Sequence, residues 1–306
     1  MSASTLAAPS SPVVIARTTR VPRHPRSPTV AALLALRRDR AAQLGIALCL
    51  LLVGAALFAP LVAPYDPIAL HIQDRLQNPS TTYLLGTDEL GRDVLSRLIY
   101  GAQTSLMVGS IALAIAASVG TLLGLLGGYL GGSADAVIMR VLDGLLAFPS
   151  IILALAIITA LGPGLGNAML AIGIVTIPNF ARIVRGSVLS MKQKEFVEAA
   201  RASGATARYI MLRVVLPNSL SPLLVQASVS FANAILTEAA LSFLGLGIQP
   251  PTPSWGAMLD TGRKYLDQTG WYSFSAGAAI FLAVLSLNLV GDGLRDALDP
   301  RLQRNL

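Results

Sequence analysis

Charged residues are scarce in this sequence, since Asp, Glu, Lys and Arg together make up only 13% of its 306 residues. An ordinary soluble domain is about a quarter charged, whereas 54% of this chain is hydrophobic. The chain therefore has too little charge to cover a globular surface in water, which argues against a cytosolic enzyme. In so apolar a chain, the net charge of +7 indicates orientation in a membrane rather than binding of nucleic acid.

Cysteine and histidine are almost absent, being limited to Cys49, His24 and His71. A single cysteine excludes a disulfide framework, and so few Cys and His residues exclude a metal cluster built from them. No glycine is followed by lysine, which excludes the phosphate-binding loop of an ATPase. The histidines lie in a predicted tail and a predicted outer loop, so no catalytic triad is plausible. We expect this chain to bind no cofactor and to be no enzyme.

Long uncharged hydrophobic runs make up most of the remaining sequence. A helix needs about 20 apolar residues to cross the hydrocarbon core, and we interpret the uncharged runs as six spans. Because the runs are continuously apolar rather than alternating, a β-barrel is excluded. The predicted fold is an all-α membrane protein with six transmembrane helices. The runs are 44–62, 104–130, 144–181 divided by a turn at 162–167, 219–246 and 272–290.

The basic residues are distributed unevenly between the two sides of these spans. If both termini share a side, that side holds 18 of the 23 Lys and Arg residues, so the positive-inside bias places both termini in the cytoplasm. The outer loops are then 64–103 and 247–271. Residues 1–40 are rich in Arg and Pro, which does not suit a secretory signal or a helical transit peptide. We expect a disordered basic cytoplasmic tail over 1–40 and a transmembrane domain over 41–306.

Two kinds of residue inside the predicted spans suggest specific roles. Glu238 is the only acid well inside a span, and such an acid indicates a water-lined translocation path or a partner. The alternative is a residue near the outer end that snorkels or caps against Ser242. A four-residue ladder of glycines indicates either close helix packing or the general glycine enrichment of membrane helices. The ladder consists of Gly120, Gly124, Gly128 and Gly132.

Proline and tryptophan mark further positions. Pro149, early in the third span, is predicted to kink or locally unwind the helix. Trp255 and Trp271 fall in the second outer loop, which is typical of an aromatic belt at the membrane interface.

The inner loop contains an organised segment at 190–217. A short helix around 194–203 is predicted to stop at Gly204, which can adopt a left-handed cap conformation. Thr206 is predicted to cap a second helix that Pro217 ends. A helix–turn–helix can also bind DNA, but this segment is tethered at both ends to membrane spans and cannot enter a major groove. We therefore expect a docking site for protein and no nucleic acid partner.

In this segment, Glu198-Ala199-Ala200 is followed after three residues by Gly204 and after nine more by Val214, and then by Leu216-Pro217. This pattern resembles the EAA loop of ABC importer permeases, with Val214 in place of the customary Ile. In that family the short helix is a coupling helix, which sits in a cleft of the ATPase subunit and transmits its closure to the membrane helices. The resemblance therefore implies an ATPase-coupling role for six residues. These are Glu198, Ala199, Ala200, Gly204, Leu216 and Pro217.

Further blocks at 86–97, 241–256 and 291–301 resemble the dipeptide/oligopeptide/nickel permeases, and specifically the second, C-type membrane subunit. The resemblance implies a type I ABC importer permease fold in the lipid of a bacterial cytoplasmic (inner) membrane, working by alternating access. The implied partners are a second homologous permease subunit, two ATP-binding subunits that use ATP and Mg²⁺, and an extracytoplasmic substrate-binding protein. Short peptides are the implied substrate, with nickel or another small peptide-like solute as alternatives. Without the resemblance, a stand-alone secondary carrier stays open.

Overall fold

The computed structural model describes residues 39–298, and within that range the chain is almost entirely helical. The only extended pairing in these residues is an isolated bridge between Thr87 and Asp93. A 3₁₀ turn lies at Ile72–Asp74, and a π-helical stretch lies at Ile210–Val215. The α-helices in chain order are α1 (Arg40–Leu57), α2 (Ala59–Val62), α3 (Val94–Leu130), α4 (Gly132–Leu146), α5 (Ser150–Leu161), α6 (Leu165–Met191), α7 (Glu195–Ala202), α8 (Ala207–Tyr209), α9 (Leu216–Asn218), α10 (Leu220–Phe243), α11 (Trp255–Arg263) and α12 (Trp271–Leu298).

Five helices in the described range are long and apolar enough to cross a membrane, namely α1, α3, α6, α10 and α12. Helices α4 and α5 taken together are also long and apolar enough to cross a membrane. The chain bends by 91° between them, so the pair is either a broken span or a re-entrant loop. The all-α prediction is therefore confirmed, with five candidate spans or six. The tail predicted over 1–40 lies outside the described residues except for its last two positions.

The bend between α4 and α5 lies at Pro149, where a kink or a local unwinding was predicted. Pro149 has an extended backbone with a ψ of 130° and immediately precedes α5. Because proline has no N–H to donate and disfavours helical geometry in the residue before it, the helix ends here and restarts in a new direction. A continuous third span from residue 144 is therefore not formed. The predicted turn that follows is present, since Gly162 and Gly164 separate α5 from α6 with positive φ.

Helix α3 begins at Val94, ten residues before the predicted span at 104–130. Asp93 caps it, because its side chain accepts a hydrogen bond from the backbone N–H of Ser96 at 2.8 Å. Arg97 interrupts the apolar run in the sequence, but its side chain is buried in the structure and the helix runs through it. The last ten residues of the predicted outer loop 64–103 are consequently helical.

The glycines of the predicted ladder bring α3 into close contact with α6. A Cβ atom at Gly120, Gly124 or Gly128 would lie 2.8 Å or less from atoms of α6, so the packing interpretation is confirmed for these three. Gly132 is not part of the contact, because it begins α4 with a φ of +57° and has open space around it. The contact advances in the same direction along both helices, so α3 and α6 run parallel. The nearest α6 atoms are, in order, Phe180 Cβ at 2.6 Å, Ala181 O at 2.5 Å and Val188 Cβ at 2.8 Å.

The remaining spans α1, α10 and α12 pack with α3 around an apolar cluster that contains Trp255. The indole of Trp255 is 1% exposed, lies against Gly101 and donates through Nε1 to the carbonyl oxygen of Leu98 at 2.9 Å. The prediction that Trp255 belongs to an interfacial belt is therefore wrong, since its one polar atom is satisfied inside the protein. Trp271 is 48% exposed, and its place in such a belt stays a prediction.

Candidate functional site

The segment predicted to couple to an ATPase folds as a short helix followed by a tight glycine turn. Helix α7 ends where Gly204, with a φ of +81°, donates to the carbonyl of Arg201 at 2.9 Å. The next amide, of Ala205, donates back to the carbonyl of Ala200 at 3.0 Å, which satisfies the end of the helix. The side chain of Thr206 then accepts from the backbone N–H of Tyr209 and begins α8. The predicted helix stop and the predicted cap are both confirmed.

The prediction that Pro217 ends the second helix is wrong. The chain stays helical from α8 through the π-helical stretch Ile210–Val215 into α9, and α10 follows after a single turn at Ser219. Pro217 lies in the first turn of α9. The first N–H groups of a helix have no carbonyl partner within it, so proline, which lacks an N–H, is tolerated at these positions. The π-helical stretch just before it changes the hydrogen-bond register, so the proline is accommodated without a break.

The predicted coupling residues of α7 lie on its accessible side. Glu198, Ala199 and Gly204 are exposed, and Ala200 is partly buried. The opposite side is fixed by Val197, which is fully buried in an apolar cluster beneath the segment. Leu216 is partly buried and Pro217 is exposed, both at the start of α9 beyond the π-helical stretch. The exposed side of α7 also carries Phe196, which is 47% exposed and was missed by the sequence analysis.

Tyr129, near the end of α3, connects this segment to the longest span. The Arg201 guanidinium of α7 lies 5.7 Å from the centroid of the Tyr129 ring, and the Lys192 ammonium lies 5.5 Å from it. Lys192 also donates to the carbonyl oxygen of Tyr129 at 2.8 Å, where the last carbonyls of α3 carry partial negative charge. The end of α3 is thereby attached both to α7 and to the residue that follows α6.

Glu238 lies inside the bundle on α10 with no exposed surface. Its carboxylate accepts hydrogen bonds from Ser105 of α3 at 3.2 Å, from Ser242 of α10 at 2.8 Å and from Ser254, which precedes α11, at 2.8 Å. The cap from Ser242 was anticipated, whereas the other two serines were not. Enclosed in this way, the carboxylate lines no open path in this conformation, and its place on a translocation route stays a prediction.

A cluster of buried charges lies around the start of α3, within the block 86–97 that resembles the permease family. The fully buried Asp88 carboxylate pairs with Arg92 Nε at 2.6 Å and lies 3.3 Å from Arg97 Nε. Arg92 Nη2 also pairs with Glu89 at 2.9 Å. Burial, reinforced by the neighbouring Asp88 carboxylate, raises the pKa of Glu89. The cluster holds the loop before α3 in a defined conformation, because each of these charges is stable in the interior only while its partner is present.

A polar cavity of about 290 Å³ lies between α5, α6 and α10. Asn179 of α6 and Asn233 of α10 both line it, each near the middle of its helix, and both are exposed at the surface of the chain. The sequence contained the signal for this site, since carboxamides are unusual at the centre of uncharged apolar runs. Neither residue was predicted, because both are uncharged and only charged residues inside the spans were interpreted as candidates for function.

The chain is similar to known membrane components of transport systems over nearly its whole length. The family described as binding-protein-dependent transport system inner membrane component matches residues 120–304. A second description, the N-terminal TM domain of oligopeptide transport permease C, matches residues 27–79.

Curated relatives include the di/tripeptide transport system permease protein DppC of Pseudomonas aeruginosa (strain UCBPP-PA14), which is 47% identical over 85% of this chain and 88% of its own length. The glutathione transport system permease protein GsiD of Escherichia coli O6:H1 is 46% identical over 87% of this chain and 88% of its own length.

A solved structure has the same fold at low sequence identity. It is an inward-facing conformation of the MetNI methionine ABC transporter, with a TM-score of 0.56 and 20% identity, covering 67% of this chain and 97% of that one. The similarity supports the fold of a type I ABC importer permease for the helices described above. Since the family match extends over more than half of the sequence, the chain belongs to the binding-protein-dependent transport system inner membrane components and is a multi-pass inner-membrane protein.

Proposed function

We propose that this chain is one of two membrane subunits of an ATP-driven importer that carries short peptides across the cytoplasmic membrane. The observation that carries the proposal is the 47% identity to a di/tripeptide permease along most of both chains. The two relatives described above are named for di- or tripeptides and for glutathione, itself a short peptide. Dipeptides and tripeptides are therefore the first substrates to test, and nickel or another peptide-like solute is the alternative.

The coupling role of segment 190–217 is a proposal supported by its geometry. An ATPase subunit would contact the accessible side of α7 through Glu198, Ala199, Ala200 and Gly204. A displacement of α7 would reach α3 through Tyr129, and it would reach α10 through the helical connection over Leu216 and Pro217 and the turn at Ser219. Alternating access then requires that the ATP-bound and ATP-free partners bind different conformations of this chain with different affinities.

The orientation follows from this assignment. The coupling segment faces the ATPases in the cytoplasm, so both termini are cytoplasmic and the loops before α3 and between α10 and α12 face outward. An extracytoplasmic binding protein would deliver substrate to these outer loops, and a second homologous permease subunit would complete the path. The excess of Lys and Arg on the cytoplasmic side is consistent with this orientation.

The experiment is ATP-driven uptake of a labelled dipeptide by the complete importer in proteoliposomes. Gly204→Asp should lower the rate of uptake by more than about tenfold, which corresponds to a rise of at least about 1.4 kcal/mol in the activation barrier, because the side chain enters the docking surface. Gly132→Asp is the matched control, since Gly132 also has positive φ and open space around it but lies off the segment. Normal uptake by Gly204→Asp, or an equal loss in both variants, would remove the coupling role.

A further inference from the structure

Asn179 and Asn233 are exposed carboxamides at mid-height in the membrane-spanning helices α6 and α10. Among residues 39–298, neither side chain makes a hydrogen bond or other polar contact. An amide in hydrocarbon without a hydrogen-bond partner is strongly unfavourable. This face of the chain is therefore not covered by lipid, and it must contact either water or another protein.

The wall around these two residues can form hydrogen bonds but carries no formal charge on any of its ten side chains. Thr176 and Thr237 donate their hydroxyl protons to carbonyls of their own helices, at 2.7 Å and 2.8 Å. Their oxygen lone pairs are left to accept. Each carboxamide of Asn179 and Asn233 can both donate and accept. The cavity of about 290 Å³ has room for several water molecules, whose share of liquid volume is about 30 Å³ each.

We propose that Asn179 and Asn233 form part of the wall of a water-filled path for amide-containing solutes, at the face where this chain meets the second permease subunit. This inference rests on the proposed function and names the site that serves it. Carboxamides and hydroxyls match the N–H and C=O groups that every peptide presents. Because the wall is uncharged, it does not favour cationic over anionic side chains. Glu238, in contrast, is enclosed by serines away from this wall.

Water access at these positions can be measured by thiol labelling of the assembled importer in membranes. Asn179→Cys and Asn233→Cys are made in a Cys49→Ala background, which removes the single native cysteine. Leu51→Cys is the control, because Leu51 is 66% exposed on the apolar surface of α1. A charged, hydrophilic thiol reagent should modify both path variants at least about tenfold faster than Leu51→Cys, and modification should block dipeptide uptake.

The labelling experiment has two results that overturn the proposal. Labelling no faster than at Leu51→Cys would mean a dry protein interface, and labelling without loss of uptake would mean a wet surface off the path. Both results leave the proposed function intact as long as the unmodified importer takes up dipeptides with ATP. If that importer takes up no dipeptide, the proposed function fails whatever the labelling shows.

A charge placed in the wall separates a path role from a structural role. Asn233→Asp should raise uptake of a Lys-Lys dipeptide relative to a Glu-Glu dipeptide by about threefold to tenfold, because the new charge acts on the solute at short range. A purely structural role would lower both rates equally. An unchanged ratio of the two rates would therefore overturn the proposal.

Discussion

Replacing Gly124 with Ala tests the close contact between α3 and α6, the two parallel helices that meet the coupling segment. The added Cβ would lie 2.5 Å from the carbonyl oxygen of Ala181 and 2.8 Å from Val184 Cβ. Carbon atoms in good contact are about 3.5–4.0 Å apart, so the helices must separate by about 1 Å at this point. Overpacking of this kind costs about 1–3 kcal/mol.

Thermal unfolding of the purified importer in mild detergent measures this cost. For a chain of this size the loss corresponds to a fall in Tm of about 2–10 °C. Gly54→Ala in α1 is the matched control, since no atom lies within 4 Å of its added Cβ and alanine favours helix over glycine by about 1 kcal/mol. If Gly124→Ala were as stable as Gly54→Ala, the described contact between α3 and α6 would be refuted.

The same stability assay tests the serine enclosure of Glu238 and the buried charges around Glu89. Glu238→Gln keeps an oxygen that can accept from Ser242 and Ser254 and should lose about 1 kcal/mol, whereas Glu238→Leu leaves three serine hydroxyls without their acceptor and should lose about 3 kcal/mol. Equal losses in the two variants would contradict the hydrogen-bonded enclosure. Because the pKa of Glu89 is raised from its ordinary 4.5, the folded state holds this proton more tightly than the unfolded state. Its contribution to stability should therefore fall as the pH rises from 4.5 through the raised pKa. Glu89→Gln should flatten the stability profile over that range, and an unchanged profile would exclude Glu89 as its source.

Much of the fold could be predicted because long apolar runs and glycine turns are local signals. The five long spans, the turn at 162–167 and the helix stop at Gly204 all follow from the spacing of apolar residues and from backbone freedom. The direction of the chain after Pro149 could not be predicted in this way. Proline predicts a disruption of the helix, but the 91° angle depends on what α4 and α5 pack against.

The polar sites were harder to predict because their partners are distant in sequence. Glu238 was identified as an unusual residue, yet its enclosure depends on Ser105, which is 133 positions away. Arg97 interrupts a hydrophobic run in the sequence. Its burial depends on the charge of Asp88, which lies beside it only in the folded structure. Asn179 and Asn233 were visible as polar residues in apolar runs, but only the packing of α6 against α10 brings them to one cavity.

The role of this chain as the membrane subunit of an ATP-driven importer can be tested through the proteins that bind it. The chain can be tagged, extracted from native membranes in mild detergent and analysed by mass spectrometry for proteins that co-purify. We expect a second permease subunit and P-loop ATPases in stoichiometric amounts, and weaker retention of the ATPases by the Gly204→Asp variant. Recovery of the chain alone or only with copies of itself, with no response of transport to ATP, would contradict the importer role and favour a stand-alone carrier.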